Sequence, residues 1–234
     1  MSDGLAKALK SIDWKSNLDE FLEQSDALEK IDLALARLAV WSRQLENIDS
    51  SNAAITFIRA MQSSAHHAVS TTSVGLYRAS AASIRSIVEN ALYYSYFRVH
   101  PAELASLVNT STYFISKSEI IEFHKIHTPG FKEFQSKFGL LSRMEGWYSE
   151  ISAIVHGQVP GMWLKERGIS DTKFRLETLK DVISKFVAAE MIVHDFLLIV
   201  IAKRYWDDFS PTAKKFLLKG IDGEKKAALK LDAC

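Results

Sequence analysis

The chain has 234 residues, of which 47% are hydrophobic and 24% charged, with a formal net charge of +1 and a single cysteine, Cys234. This composition suits a folded protein with a sizeable core, and the small net charge supplies no global field to recruit nucleic acid or an anionic membrane. One cysteine excludes an internal disulfide framework and a cysteine-based zinc site, and suits a reducing compartment.

The N-terminal stretch MSDGLAKALKSIDW lacks the apolar centre of a signal peptide, so the expected location is the cytoplasm. The most apolar run, MIVHDFLLIVIA at 191–202, is too short for a bilayer span and carries His194 and Asp195; it predicts a buried helix and no membrane association. Apolar residues recur with the helical period along the chain, and nothing alternates with period two for long enough to predict a strand. The fold class expected is all-α: a helical bundle of about five core helices with an N-terminal helical extension.

In chain order, residues 1–24 predict a short amphipathic helix using Trp14, Leu18, Phe21 and Leu22. Ser25 or Asp26 is expected to cap the next helix, where Leu28, Ile31, Leu35, Leu38, Trp41 and Leu45 form an apolar stripe. A third helix carries Ile55, Ile58, Met61 and Ala65, and a break is expected before a long central helix at 73–98. The middle of that helix (Ala79, Ser80, Ala81, Ala82, Ser83) is small enough for a neighbour to approach closely. Pro101 opens a short helix, and Ser116 with Glu119 has capping-box spacing, predicting another helix that Thr128-Pro129-Gly130 stops. Ser142 and Glu145 predict a second capping box for the helix that ends at His156 and Gly157. After an irregular loop at 158–170, Asp171 is expected to cap a long helix reaching about residue 206. Ser210-Pro211 starts a small terminal helix, and the lysine-rich tail beyond Asp222 is expected to be mobile. The division this suggests is an extension at 1–72, a bundle at 73–208 with the 142–156 and 171–206 helices packed on the central one, and a terminal helix and basic tail at 209–234.

Chemistry concentrates on two of these helices. Arg85 and Glu89 stand four apart and are neighbours on the helix surface, with Arg78 two turns earlier. Ser149, Ser152 and His156 fall at i, i+3, i+7 of the later helix. These groups are either a polar knot that pins two helices in register or a reactive site, with Glu89 or Ser152 as the partner expected for His156. Elsewhere, Glu122, His124 and His127 read as surface residues rather than metal ligands, His194 as a satisfied core histidine, and Lys214 to Lys226 as a solvated basic end. No Glu-x-x-His pair, phosphate-binding glycine loop, nucleophile elbow or zinc-finger spacing occurs, so neither a cofactor nor a metal is expected.

A long helix bearing Arg78, Arg85 and Glu89, followed by a helix that ends Ser152-x-x-x-His156-Gly157, resembles the HEPN-like helical superfamily over about residues 73–206. The resemblance implies a bundle of four to five helices, frequent homodimerisation and a setting in prokaryotic toxin–antitoxin or phage-defence systems. Active members cleave RNA without a metal at a dimer cleft, using an arginine and a histidine on one helix with four to six residues between them. His156 matches that histidine, whereas the matching arginine positions hold Ser149, Glu150 and Ile151, and the nearest upstream arginine is Arg143. The resemblance thus implies a ribonuclease in which His156 is general acid or base, Arg85 stabilises the phosphorane, Glu89 and Ser152 orient the pair, and Arg78 and Ser149 contact the ligand. The alternative is a non-catalytic helical module that binds a partner protein or nucleic acid.

Overall fold

The structure, a computed structural model, describes residues 3–163 and 166–231; Cys234 lies outside them. Its helices are α1 (Asp3–Lys10), α2 (Trp14–Leu22), α3 (Ser25–Ile48), α4 (Ile55–Ser73), α5 (Tyr77–Phe97), α6 (Pro101–Asn109), α7 (Lys117–His127), α8 (Phe131–Lys137), α9 (Leu140–Val155), α10 (Leu176–Leu197), α11 (Lys203–Tyr205), α12 (Pro211–Leu217) and α13 (Gly223–Leu229). A π-helical turn, Leu198–Ala202, joins α10 to α11. Among the described residues there is no strand, and the protein is an all-α helical bundle. No helix among them is long and apolar enough to cross a membrane.

The central position belongs to α5, which packs on α4, α9, α10 and α7, while α3 closes against α4 and α10. The small residues on α5 explain its closest neighbour. Ala81 is fully buried, and the Ser80 hydroxyl lies 2.8 Å from that of Thr71 and 2.9 Å from that of Thr72, so α4 and α5 meet through small side chains and a hydroxyl cluster. On α3 the expected stripe faces inward: Ile31, Leu38, Trp41 and Leu45 are buried, with Leu28 and Leu35 packed against them. A single hydrophobic core runs from Phe21 to Leu231 and takes residues from α3 and α4 as well as from α5, α9 and α10. The second half of α10 is buried on nearly every face, so Glu190, His194 and Asp195 sit in a low-dielectric interior where each needs partners.

Several boundaries differ from the sequence expectation, and turn chemistry accounts for each. Two helices replace the one expected at 1–24, because the Asp13 carboxylate accepts from the Ser16 amide (2.8 Å) and starts α2 afresh. Gln24, without a side-chain cap bond, precedes α3 in place of the expected Ser25 or Asp26 cap. The break before the central helix is real but lies at residues 74–76, where Gly75 has φ +83°, so Ser73 ends α4 rather than opening α5. The second capping box does not form: Gly139, at φ +59°, opens α9 and leaves Ser142 inside the first turn. Asp171 closes a short 3-10 turn instead of capping α10, its carboxylate accepting from the amides of Arg167 (2.9 Å) and Gly168 (3.2 Å). The Ser116–Glu119 box forms in both directions. Of the tail beyond Asp222, expected to be mobile, the described residues form α13, bury Leu229 and Leu231 and send Lys225 Nζ to Asp195 at 2.9 Å; residues 232–234 lie outside them. Lys214, read as solvated, is buried with its ammonium 5.9 Å from the Trp206 ring centroid.

Gly75 is a turn that leaves no room for a side chain. A Cβ there would lie 2.9 Å from the Lys173 carbonyl oxygen, whereas one on Gly139 would meet open space. Gly139→Ala should therefore cost only the left-handed backbone penalty, about 1–2 kcal/mol. Gly75→Ala should cost about 2–4 kcal/mol, because the main chain at Lys173 must also move. Paired urea melts check the ordering; equal losses would show that the Lys173 contact carries no weight.

Candidate functional site

The helical period brings Arg85 and Glu89 of α5 to one face, and α5–α9 packing sets that face against the C-terminal half of α9. Arg85 is the hub. Its Nε donates to Glu89 Oε1 at 2.9 Å and to the Tyr148 hydroxyl at 3.1 Å, and its Nη2 donates to the same hydroxyl at 2.7 Å. Tyr148 in turn donates to Glu89 Oε1 at 2.6 Å, which closes a ring of three groups from two helices. Arg85 Nη1 then reaches His156 Nε2 at 3.1 Å. A guanidinium has no acceptor, so this contact requires an unprotonated Nε2 on His156. From the start of α7, the Lys117 ammonium lies 4.5 Å from the centroid of the Tyr148 ring, adding a third helix and a second cation.

Burial works against the Arg85 charge, but the Glu89 carboxylate and the Tyr148 hydroxyl outweigh it and hold the guanidinium above its ordinary pKa. Burial, reinforced by the bond to Glu89, pushes the Tyr148 phenol up to about 12, so it stays protonated around neutrality and can donate and accept at once. His156 is exposed and occupies the C-cap of α9, with Gly157 following at φ +66°. Arg78 serves the same helix end: its Nε and Nη2 donate to the Val155 carbonyl at 3.2 and 2.9 Å, placing a cation at the negative pole of α9.

Of the residues expected from the sequence, Arg85, Glu89 and His156 belong to one connected network. Ser152 lies half-buried on the same helix, with its hydroxyl oxygen buried and unpaired, while Ser149 is exposed. Among the described residues neither hydroxyl is hydrogen-bonded to the His156 ring; Ser152 meets His156 only through its carbonyl, which accepts from the His156 amide at 2.9 Å. The partner of His156 is Arg85, not Glu89 or Ser152, because Tyr148 stands between the helices and engages the Glu89 carboxylate. Tyr148 and Lys117 are the residues that sequence reasoning missed. A signal for Tyr148 existed: Tyr148, Ser152 and His156 stand at i, i+4, i+8, one side-chain row along the helix.

A second polar cluster lies in the core between α3 and α10. Arg37 Nη1 donates to both oxygens of Glu190 at 3.0 and 2.9 Å, and Trp41 Nε1 donates to His194 Nδ1 at 2.9 Å. Indole is a donor only, so the proton of His194 sits on Nε2. Among the described residues that nitrogen meets no acceptor in good hydrogen-bond geometry, although the Leu217 carbonyl beside the ring raises its basicity, so this core histidine is fully satisfied on one nitrogen only. Asp195 accepts from Arg143 and Lys225. His124, read as a surface residue, is instead buried, with its two ring nitrogens 2.9 Å from the Ser95 hydroxyl and 2.8 Å from that of Thr128. Among the described residues no group of three or more His, Cys, Asp or Glu side chains is arranged to hold a metal. No protein-family model, curated protein or solved structure is found to match the chain.

Proposed function

We propose that this chain is a HEPN-like helical protein of a prokaryotic toxin or defence system, active in the cytoplasm, that binds RNA and cleaves it without a metal ion. The observation that carries the reading is the 3.1 Å approach of Arg85 Nη1 to His156 Nε2, with His156 open to solvent. An arginine from α5 thereby stands beside the histidine of α9, in place of the same-helix arginine that positions 149–151 lack.

In this reading Arg85 Nη1 leaves His156 Nε2 for the substrate phosphate, the freed Nε2 lone pair takes the proton of a ribose 2′-hydroxyl, and the 2′ oxygen attacks the adjacent phosphorus. The bond to the 5′ oxygen breaks, that oxygen takes a proton from water, the hydroxide so formed takes back the proton held on His156, and the products are a 2′,3′-cyclic phosphate and a 5′-hydroxyl end. Arg85 meets the phosphorane charge with the N–H groups its partners leave over, while Glu89 and Tyr148 hold the guanidinium plane still. Arg78 and Lys117 add positive charge for the flanking backbone, and Ser149 and Ser152 offer hydroxyls along the same helix. Two copies pair, as the resemblance implies, to form the cleft.

Single-stranded RNA incubated with the purified protein in the presence of a chelator tests this. His156→Ala and Arg85→Ala are each expected to lower cleavage by at least about a hundredfold, the scale of losing an acid–base or charge-stabilising group. Tyr148→Phe keeps the ring but frees the guanidinium, and is expected to lower kcat by about tenfold with little change in KM. A second reading has its own support: Glu89 and Tyr148 already engage Arg85, and Arg78 is spent on Val155, as in a structural knot on a non-catalytic binding module. RNA that is bound but never cut would favour that module; cleavage unchanged in both alanine variants would sink the catalytic reading.

A further inference from the structure

A cavity of about 300 Å³, at the small end of the range for ligand pockets, opens between the start of α5 and the loop that joins α9 to α10. The buried part of its lining includes Tyr77 and Trp163, whose indole donates to Asp181 at 2.7 Å. The part open to solvent includes Leu76, Arg78, Arg167 and Ile169. Both arginines keep donors for a ligand. Arg78 gives Nε and Nη2 to the Val155 carbonyl and retains Nη1. Arg167 is anchored by its backbone, its amide donating to Asp171 Oδ2 at 2.9 Å, and among the described residues no group is bonded to its guanidinium.

The carboxylates nearby are engaged elsewhere. Glu166, in the cavity wall, accepts from Arg175 Nε and Nη2 at 3.3 and 2.9 Å, and Asp171 Oδ2 is held by the amides of Arg167 and Gly168. Guanidinium groups with donors left over suit a phosphate, which arginine binds through several N–H groups at once. Leu76 and Ile169, 38% and 48% exposed, add apolar surface at the same opening. Phosphate donors beside accessible apolar surface match the two halves of a nucleotide whose base has left its stack.

Arg78 ties this cavity to the Arg85–His156 network. The carbonyl it holds belongs to Val155, the residue before His156, and a Cβ on Gly157 would lie 3.4 Å from its Nη2. Arg78 and Arg85 are seven residues apart on α5, which is about 10 Å along the helix axis. We propose that the cavity receives one nucleotide of a single-stranded RNA, flanking the phosphate that is cut. Its phosphate accepts from Arg78 Nη1 and from Arg167, and its base lies against Leu76 and Ile169. The assignment rests on the reading of the Arg85–His156 network as an RNA site.

Binding is separated from cleavage by a 2′-O-methyl oligouridylate, which has no 2′-hydroxyl proton to give and so cannot be cut. Fluorescence anisotropy of this probe, and of an abasic chain with the same phosphates, tests the two halves of the proposal. The parent protein is expected to hold the oligouridylate about tenfold more tightly than the abasic chain. Arg167→Ala should lower affinity for both by about tenfold and reduce the slope of log affinity against log salt by about one. Ile169→Ser should weaken only the oligouridylate, and so should Leu76→Ser, at a position where serine suits a helix N-cap. Arg43→Ala removes an exposed cation from α3 and is expected to change neither. In cleavage of unmodified RNA, Arg167→Ala should raise KM about tenfold at constant kcat.

Binding that responds to Arg167 and Ile169 without cleavage by any variant upholds this subsite while the catalytic reading falls. Cleavage that depends on His156, with affinity and KM indifferent to Arg167→Ala, overturns the subsite alone. No binding of the oligouridylate, equal affinity for the two probes, or an equal loss in Arg43→Ala overturns it as well.

Discussion

Trp41→Ala is expected to cost about 4–8 kcal/mol, more than any substitution in the Arg85–His156 network. The indole is fully buried and makes edge contacts with His194 (centroids 5.8 Å apart) and Phe209 (5.7 Å). Removing an aromatic ring of this size from a packed core costs about 3–5 kcal/mol, because the cavity collapses only in part. Alanine also withdraws the donor from His194 Nδ1, leaving neither nitrogen of a buried imidazole with a partner in good geometry, at about 1–3 kcal/mol. Against a typical total of about 5–15 kcal/mol, the variant should be barely folded at room temperature. Trp41→Phe separates the two contributions: it keeps most of the ring and loses the donor, so a fall of about 1–3 kcal/mol is expected. Urea midpoints for both variants are the measurement, and a phenylalanine variant as stable as the parent would show that the bond to His194 contributes nothing.

A steep loss of stability in mild acid is the second large effect expected, and it originates in buried histidines rather than in carboxylates. Burial lowers His194 to about 3 and His124 to about 4, from an ordinary 6.5. Between those values and 6.5 the unfolded chain binds protons that the folded chain refuses, so stability falls as pH drops through the window. Each histidine can account for a loss on the order of 3–5 kcal/mol when the window is fully crossed. Glu190 acts with the opposite sign. Its carboxyl is raised to about 7 by burial, even with Arg37 on both oxygens, so the folded state is the one that holds the extra proton between 4.5 and 7. That contribution, roughly 3 kcal/mol at most, is present at low pH and is lost as pH rises. Glu190→Gln should therefore steepen the acid loss, and His124→Gln should flatten it. Urea unfolding at intervals from pH 4.5 to 7.5 measures both slopes; a parent protein with flat stability across that range would refute the account.

How much was legible beforehand depends on the range over which each interaction acts. The stripe from Leu28 to Leu45 was readable because a helix places i, i+3 and i+4 on one face whatever surrounds it, and the Ser116–Glu119 box closes within four residues. Arg85 and Glu89 were readable for the same reason. Where a helix begins was less so, since Ser142 and Asp171 have the chemistry of caps but the backbone turned at Gly139 and at Ile169–Asp171 instead. Across helices the sequence grouped Arg85, Glu89 and His156 but not which of them touch, and the partners of the buried polar groups were not legible. His156 meets an arginine 71 residues away, His194 a tryptophan 153 residues away, and Asp195 a lysine from a tail that sequence alone assigns to solvent. The sequence by itself determined that the chain is helical and which faces are apolar, because those follow from bonds and spacings inside single helices. Tertiary packing alone decided that Tyr148 stands between Glu89 and His156, and that Arg37 and Trp41 of α3 meet Glu190 and His194 of α10. Side-chain polar contacts act over about 3 Å, and the register of one helix on another sets which groups come within that distance.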